Sequence, residues 1–319
     1  MSTFEEKNPA DISIEIILPH IQQHLPNISL DQIRFHYHGS FNVFIVDDRY
    51  IFRFPDRAFR NNKGIAMIHD EKKKLDKIRS QVNQSIPKPQ FFGEKPELPY
   101  VGYEMIPGVS LSRCLMNFSP QIQVTIASQI GNFLSQLHSS SLRTKFDIKR
   151  TIFKSYEEFP QIYKDQWTQL FQKTQECMYS LFTKDQKIWI EQIFTEFLSE
   201  PSNFQFEPCL IHGDFDTSNI LVDPIFANLT GIIDFEDCKL YDPAVDLLFF
   251  DEGSDFLEEI INHYTAYKVD QPFRNRMKFL YSRTCLSYIE WGMDNNRSEL
   301  VQAGLKIMEK NMTQFPLQD

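Results

Sequence analysis

Residues 210–235 read LIHGDFDTSNILVDPIFANLTGIIDF, from Leu210 to Phe235. A short apolar strand runs into a sharp polar turn, His212-Gly213-Asp214-Phe215-Asp216-Thr217-Ser218-Asn219. Ile220-Leu221-Val222 follows, then a Pro/Asn loop, then Gly231-Ile232-Ile233-Asp234-Phe235. Short apolar runs bounded by turn residues predict strands. Such strands would hold Asp214, Asn219 and Asp234 at one mouth of a small sheet.

These residue types suit phosphoryl transfer. A carboxylate on the turn can accept the proton of an attacking hydroxyl and aim it in line with a phosphorus. Magnesium takes oxygen ligands, which the Asn219 amide and the Asp234 carboxylate supply. A polar surface hairpin is the plain alternative; it leaves the spacing of the three polar anchors without a reason. The stretch resembles the aminoglycoside phosphotransferase and choline-kinase-like family, whose signature is HGD(x4)N followed by a hydrophobic-Asp-Phe/Trp strand end. The resemblance implies an α+β, bilobal protein-kinase-like fold with an antiparallel-sheet N-lobe and a mostly helical C-lobe. It also implies Asp214 as the catalytic residue, Mg2+ on Asn219 and Asp234, and ATP or GTP as phosphate donor.

A chain of 319 residues has length for two lobes. Its net charge of −10 argues against nucleic acid or an anionic membrane as partner. Cys114, Cys177, Cys209, Cys238 and Cys285 are scattered, odd in number and without metal-ligand spacing, as expected of free thiols in a reducing compartment. The start, MSTFEEK, carries acids where a signal peptide carries positive charge. No apolar run approaches the roughly 18 residues of a membrane span. A cytoplasmic monomer is the expectation.

Upstream, 11–25 suits a helix interrupted by Pro19. Phe41–Val46 and Tyr50–Phe54 read as strands joined by a tight turn at Asp47-Asp48. Alternation puts Ile51 and Arg53 on one face and Tyr50, Phe52 and Phe54 on the other. Residues 61–82 read as a charged helix. The resemblance pairs an acid of that helix, Glu71, with Arg53, which would contact the nucleotide phosphates. Ser40 falls where a phosphate-covering turn would lie, although the glycine-rich pattern of protein kinases is absent. Tyr100–Gly108 reads as a strand broken by Pro-Gly. By resemblance it binds the nucleotide base through the backbone of Glu104 to Ile106, with Tyr103 at the back of the pocket, where side-chain size bears on ATP against GTP use. The expected organisation is an N-terminal lobe over 1–103, a hinge over 104–108 and a C-terminal lobe over 109–319.

Ser119-Pro120 opens a helix with Ile122, Ile126, Ile130, Phe133 and Leu137 on one face. It ends at His138, expected to be structural. A helical insert occupies about 145–205, with helices around 155–179 and 185–200. Asp242-Pro243 and Asp246 read as a helix cap and opening. The resemblance extends to aminoglycoside 2''-phosphotransferases through Ile261–Tyr264 and Tyr288–Trp291. In that group acids of this region bind the antibiotic's ammonium groups and an aromatic residue packs on its ring. The matching substrate positions are Asp216, Glu236, Asp251, Glu252, Asp255, Glu290 and Trp291.

The expected activity is transfer of the γ-phosphate of ATP or GTP to an aminoglycoside hydroxyl. A kinase of the same fold acting on choline, homoserine or a sugar would share the whole catalytic stretch. A non-catalytic nucleotide-binding protein of this fold is the alternative of another class: it usually lacks a base or metal ligand, whereas Asp214, Asn219 and Asp234 are all present, and only Arg53 and the glycine-poor loop give it room. A protein kinase is disfavoured: His-Gly-Asp replaces His-Arg-Asp, Glu236 follows Asp234-Phe235, and no Ala-Pro-Glu step follows.

Overall fold

A computed structural model gives the architecture, and it describes residues 10–146 and 153–316. The acidic start of the chain and residues 147–152 of the expected insert lie outside the described residues. Packing divides the chain into two compact units, 1–118 with 217–236, and 119–216 with 237–319.

The first unit is built on an antiparallel sheet of β1 (Ile33–His38), β2 (Phe41–Val46), β3 (Tyr50–Pro55), β4 (Phe91–Gly93) and β5 (Tyr100–Glu104), in the order β1-β2-β3-β5-β4. Asp47 and Asp48, at φ 52° and 47°, lie in the tight three-residue connection from Val46 to Tyr50, in which Arg49 N–H bonds the Val46 carbonyl at 3.1 Å. The alternation in β3 divides two cores. Phe52 and Phe54, with no exposed surface, join Phe44, Val46 and Tyr100 and the Ile17 and Ile21 side chains of α1 (Ile14–Gln22). Each such phenylalanine contributes about 1.5–3 kcal/mol by burial. On the other face Phe41 and Val101 meet Ile68 of α2 (Asn62–Arg79). Arg53 lies on this second face, its guanidinium 4.3 Å from the Phe41 ring centroid.

A three-stranded sheet completes this unit: β6 (Val109–Ser110), β8 (Ile220–Val222) and β9 (Leu229–Ile232). Val109 pairs with Val222 and Ile220 with Ile232. These ladders join 109–110 to 220–232, and the Ser85 carbonyl, which accepts Ile232 N–H at 2.9 Å, ties them to the rest of the first unit.

In the second unit β7 (Cys209–Ile211) pairs with β10 (Lys239–Tyr241), and helices supply the rest. The sequence signals mark α3 (Pro120–Leu137) well: Ser119 is its N-cap, Pro120 opens it, and Ile126, Ile130, Phe133 and Leu137 are buried. α4 (Ser140–Arg143), α5 (Phe159–Lys173) and α6 (Lys184–Ser199) follow. α5 passes at Thr174 into a wider turn ending at Met178, so the regular helix is shorter than the expected 155–179. The remaining helices are α7 (Ser254–His263), α8 (Gln271–Ser282), α9 (Thr284–Asp294) and α10 (Ser298–Gln314). α3 packs on α7 through Gly131, where a Cβ would lie 2.4 Å from the Ile260 carbonyl oxygen. Rings fill the space between α6 and α8, Phe197 stacking on Phe279 at 3.8 Å between centroids.

Candidate active site

The turn that opens at His212 is held by a buried carboxylate. Asp246, on the short turn Pro243–Leu247, accepts the backbone N–H of His212 at 2.6 Å and of Gly213 at 3.0 Å. His138, at the end of α3, donates Nε2–H to the same carboxylate at 3.0 Å, and its Nδ1 bonds the Tyr264 hydroxyl at 2.8 Å. Asp246 and His138 thus act through the backbone of the turn, in keeping with the structural reading of both.

Gly213 sits at φ +92°, and a Cβ there would lie 2.6 Å from the Asp237 carbonyl oxygen. Only glycine takes this corner without strain. Phe215 is buried against Phe133 and Phe249, and its burial leaves Asp214 and Asp216 on either side exposed. Asp214 therefore presents its carboxylate from a turn fixed at both ends.

Asp242, which opens the Pro243–Leu247 turn, accepts Ala244 N–H at 3.0 Å and the Tyr163 hydroxyl at 2.6 Å. Both its oxygens take Arg276 Nε at 3.1 Å. Sequence reading missed Arg276 and Tyr163. A signal existed: Phe273, Arg276, Met277 and Leu280 share the apolar phase of α8, where an arginine needs a buried acid.

Asn219 and Asp234 belong to the first unit. Ile233 N–H bonds the Asn219 carbonyl at 3.0 Å, so Asn219 and Asp234 leave the β8–β9 ladder at the same end. Asn219 is buried and Asp234 half-buried. Asp234 holds φ +66°, a conformation costing a non-glycine residue about 1–3 kcal/mol. An amide and a carboxylate at one ladder end fit a small hard cation.

The basic group of this unit is Arg53. Its Nη1 donates to Glu71 of α2 at 2.6 Å and its Nη2 to Glu236, with the Glu71 side chain 7% exposed and that of Glu236 26%. Burial alone would pull the guanidinium down, yet Glu71 and Glu236 hold it well above its ordinary value. Glu71, which reads in the sequence as one acid among many on a charged helix, is 6% exposed overall. Lys74, also missed, donates to the Glu236 carbonyl at 3.3 Å.

Ser40 is exposed in the β1–β2 turn, and its carbonyl accepts Asp56 N–H at 2.8 Å. Tyr103 is buried opposite Ile51, and burial pushes its phenol well up. Glu104 is exposed, and Met105 N–H is given to the Arg49 carbonyl at 2.7 Å. Ile106 packs against the backbone at Gly231.

The expected substrate acids have different partners and exposures. Glu236 faces Arg53. Asp251 takes the Tyr281 hydroxyl and the Lys310 ammonium. Glu290 pairs with Lys173 at 2.5 Å, and its neighbour Trp291 is 51% exposed. Asp255 stands exposed in the first turn of α7, and Glu252 is half-buried just before it.

The fold is one shared by solved phosphotransferases. The GDP complex of aminoglycoside 2'-phosphotransferase-IIIa superposes with a TM-score of 0.82 at 20% identity, over 95% of this chain and 99% of that one. The gentamicin complex of APH(2")-IIa matches at 0.64 and 19% identity, over 97% and 98%. Macrolide 2'-phosphotransferase type I matches at 0.65 and 14%, over 93% and 97%. The phosphotransferase enzyme family model matches residues 33–271, and the chain belongs to that family. Among the described residues no helix is long and apolar enough to cross a membrane.

Proposed function

We propose that the protein is a magnesium-dependent kinase that transfers the γ-phosphate of ATP or GTP to a hydroxyl of an aminoglycoside. The observation that carries the phosphoryl chemistry is the buried Arg53–Glu71 pair in one unit with Asn219 and Asp234. A forked cation fixed by a buried acid suits phosphate.

In this reading Asp214 accepts the hydroxyl proton and aims the oxygen at phosphorus. Asn219 and Asp234 would hold Mg2+, which when bound neutralises phosphate charge. Asn219 lies five positions after Asp214, so chain geometry keeps their Cα atoms within about 18 Å. Arg53 steadies the phosphates, the backbone of Glu104 to Ile106 receives the base, Tyr103 closes the pocket behind it, and Ser40 lies on the covering turn. With Met105 N–H already given to Arg49, base recognition falls to Glu104 and Ile106. A large, buried Tyr103 leaves both purines open.

The acceptor assignment rests on fold likeness: APH(2")-IIia is solved with GDP and kanamycin, and APH(2")-IIa with gentamicin. A polycation suits a protein of net charge −10, with Asp216, Asp251, Glu252, Asp255, Glu290 and Trp291 as its contacts. We place the enzyme in the cytoplasm as a monomer, without nucleic-acid or membrane partners.

The test is turnover by purified protein with magnesium and ATP or GTP against kanamycin- and gentamicin-type aminoglycosides, choline, homoserine and simple sugars. Aminoglycoside turnover that disappears in Asp214→Asn supports the reading. Turnover with a metabolite alone keeps the mechanism and removes the antibiotic.

A further inference from the structure

Arg53 has two carboxylate partners, and they differ in kind. Glu71 comes from α2, is almost fully covered, and pairs at 2.6 Å with Nη1. Glu236 comes from the segment just after Asp234 and keeps about a quarter of its side chain exposed. The aromatic face of Phe41 covers the guanidinium at 4.3 Å, and the backbone of Glu236 is pinned by Lys74. Lys74 is itself paired with Asp70 at 3.1 Å. Glu236 is therefore the solvent-side partner of Arg53, the one buried arginine among the described residues of this unit.

The charge balance gives that position a consequence. Arg53, Glu71 and Glu236 together carry one net negative charge, and Asp234, whose charge also acts on Arg53, adds another. A nucleotide phosphate reaching for Nη2 meets a carboxylate already bonded there, in a place where charges are weakly screened.

We propose that Glu236 is an intramolecular competitor of the nucleotide phosphates for Arg53, displaced when nucleotide binds and thereby making nucleotide affinity depend strongly on the divalent cation. This rests on the phosphotransfer reading, and it gives Glu236 a task other than substrate contact. Glu71 stays on Nη1 throughout and keeps the guanidinium aimed. Glu236 yields Nη2 to a phosphate oxygen, a trade that costs little when a cation offsets the added charge and much when none is present.

The experiment is titration with ADP of the wild-type chain and of Glu236→Gln, Glu236→Ala, Glu71→Gln, Arg53→Ala and the double variant Arg53→Ala/Glu236→Gln. Each is measured in EDTA and in magnesium, after circular dichroism has shown it folded. In EDTA, Glu236→Gln and Glu236→Ala should each bind ADP about tenfold tighter than wild type, the worth of one charge-assisted bond no longer contested. The gain should shrink in magnesium and vanish when Arg53 is alanine. Glu71→Gln should weaken binding in both media.

Unchanged or weaker ADP binding by both Glu236 variants in EDTA would overturn the inference and make Glu236 a positioning partner of Arg53. A gain that survives in the Arg53→Ala background would overturn it too, since general repulsion would then suffice. Absence of ADP binding by wild type in magnesium would remove the phosphotransfer reading itself, and this inference with it. That result is distinct from both others.

Discussion

At Gly213 one missing Cβ decides whether the turn can close. Its φ of +92° and the 2.6 Å approach to the Asp237 carbonyl leave no room for a methyl group. We expect Gly213→Ala to cost about 1–3 kcal/mol in urea unfolding. Its kcat should fall about a hundredfold, because Asp214 is carried off line, while KM for nucleotide changes little. Arg53→Lys is the second test at this scale. It preserves the charge but loses the fork shared by Glu71 and Glu236, so ADP affinity in magnesium should drop about tenfold in calorimetric titration. The position of Gly213 was legible in the sequence, since His-Gly-Asp after an apolar strand demands a corner. The burial of Glu71 was not, because α2 carries several acids and periodicity alone does not say which one meets β3.

The Pro243–Leu247 turn is the element on which the loop bearing Asp214 rests. Asp246 holds the loop backbone, and Asp242 anchors the turn through Tyr163 of α5 and Arg276 of α8. Arg276→Met leaves Asp242 buried without its cation. We expect a loss of about 3–5 kcal/mol by urea unfolding, with Tyr163→Phe the milder change at about 1.5–3 kcal/mol. In Tyr163→Phe, kcat should fall more than KM changes, because the loop bearing Asp214 loosens while Arg53 and its partners in the other unit are untouched. A KM rise at constant kcat would contradict that order. The sequence marked this turn correctly as an Asp-Pro cap. It could not show that the cap's partners sit on helices 79 and 34 residues away.

For the whole molecule, pH reports the buried aromatic core. Burial raises the phenols of Tyr163 and Tyr264 well above the ordinary tyrosine value of 10.0. The unfolded chain therefore releases these protons first. The stability they contribute is complete below pH 10 and is lost as pH rises above it toward the folded values. Tyrosinate absorbance and far-ultraviolet circular dichroism should change together above pH 10. At the acid end Lys72 and Arg274 hold Asp76 and Glu258 below their ordinary values, so stability falls as pH drops below about 4. Magnesium with ADP at a hundred times Kd should add about 2.7 kcal/mol to unfolding, and EDTA should remove most of it.

The sequence by itself determined what is local: the β2–β3 hairpin, the strand–turn–strand of 210–235 and the start of α3. Each follows from turn chemistry, apolar period or spacing within a few residues. Only the tertiary structure decided which acids are spent on cations, Glu236 on Arg53, Asp251 on Lys310 and Glu290 on Lys173. It also decided that 217–236 packs with the sheet unit while Asp214 packs with the helices. Charge pairing and unit membership depend on residues brought together from distant parts of the chain, and no local pattern encodes that meeting.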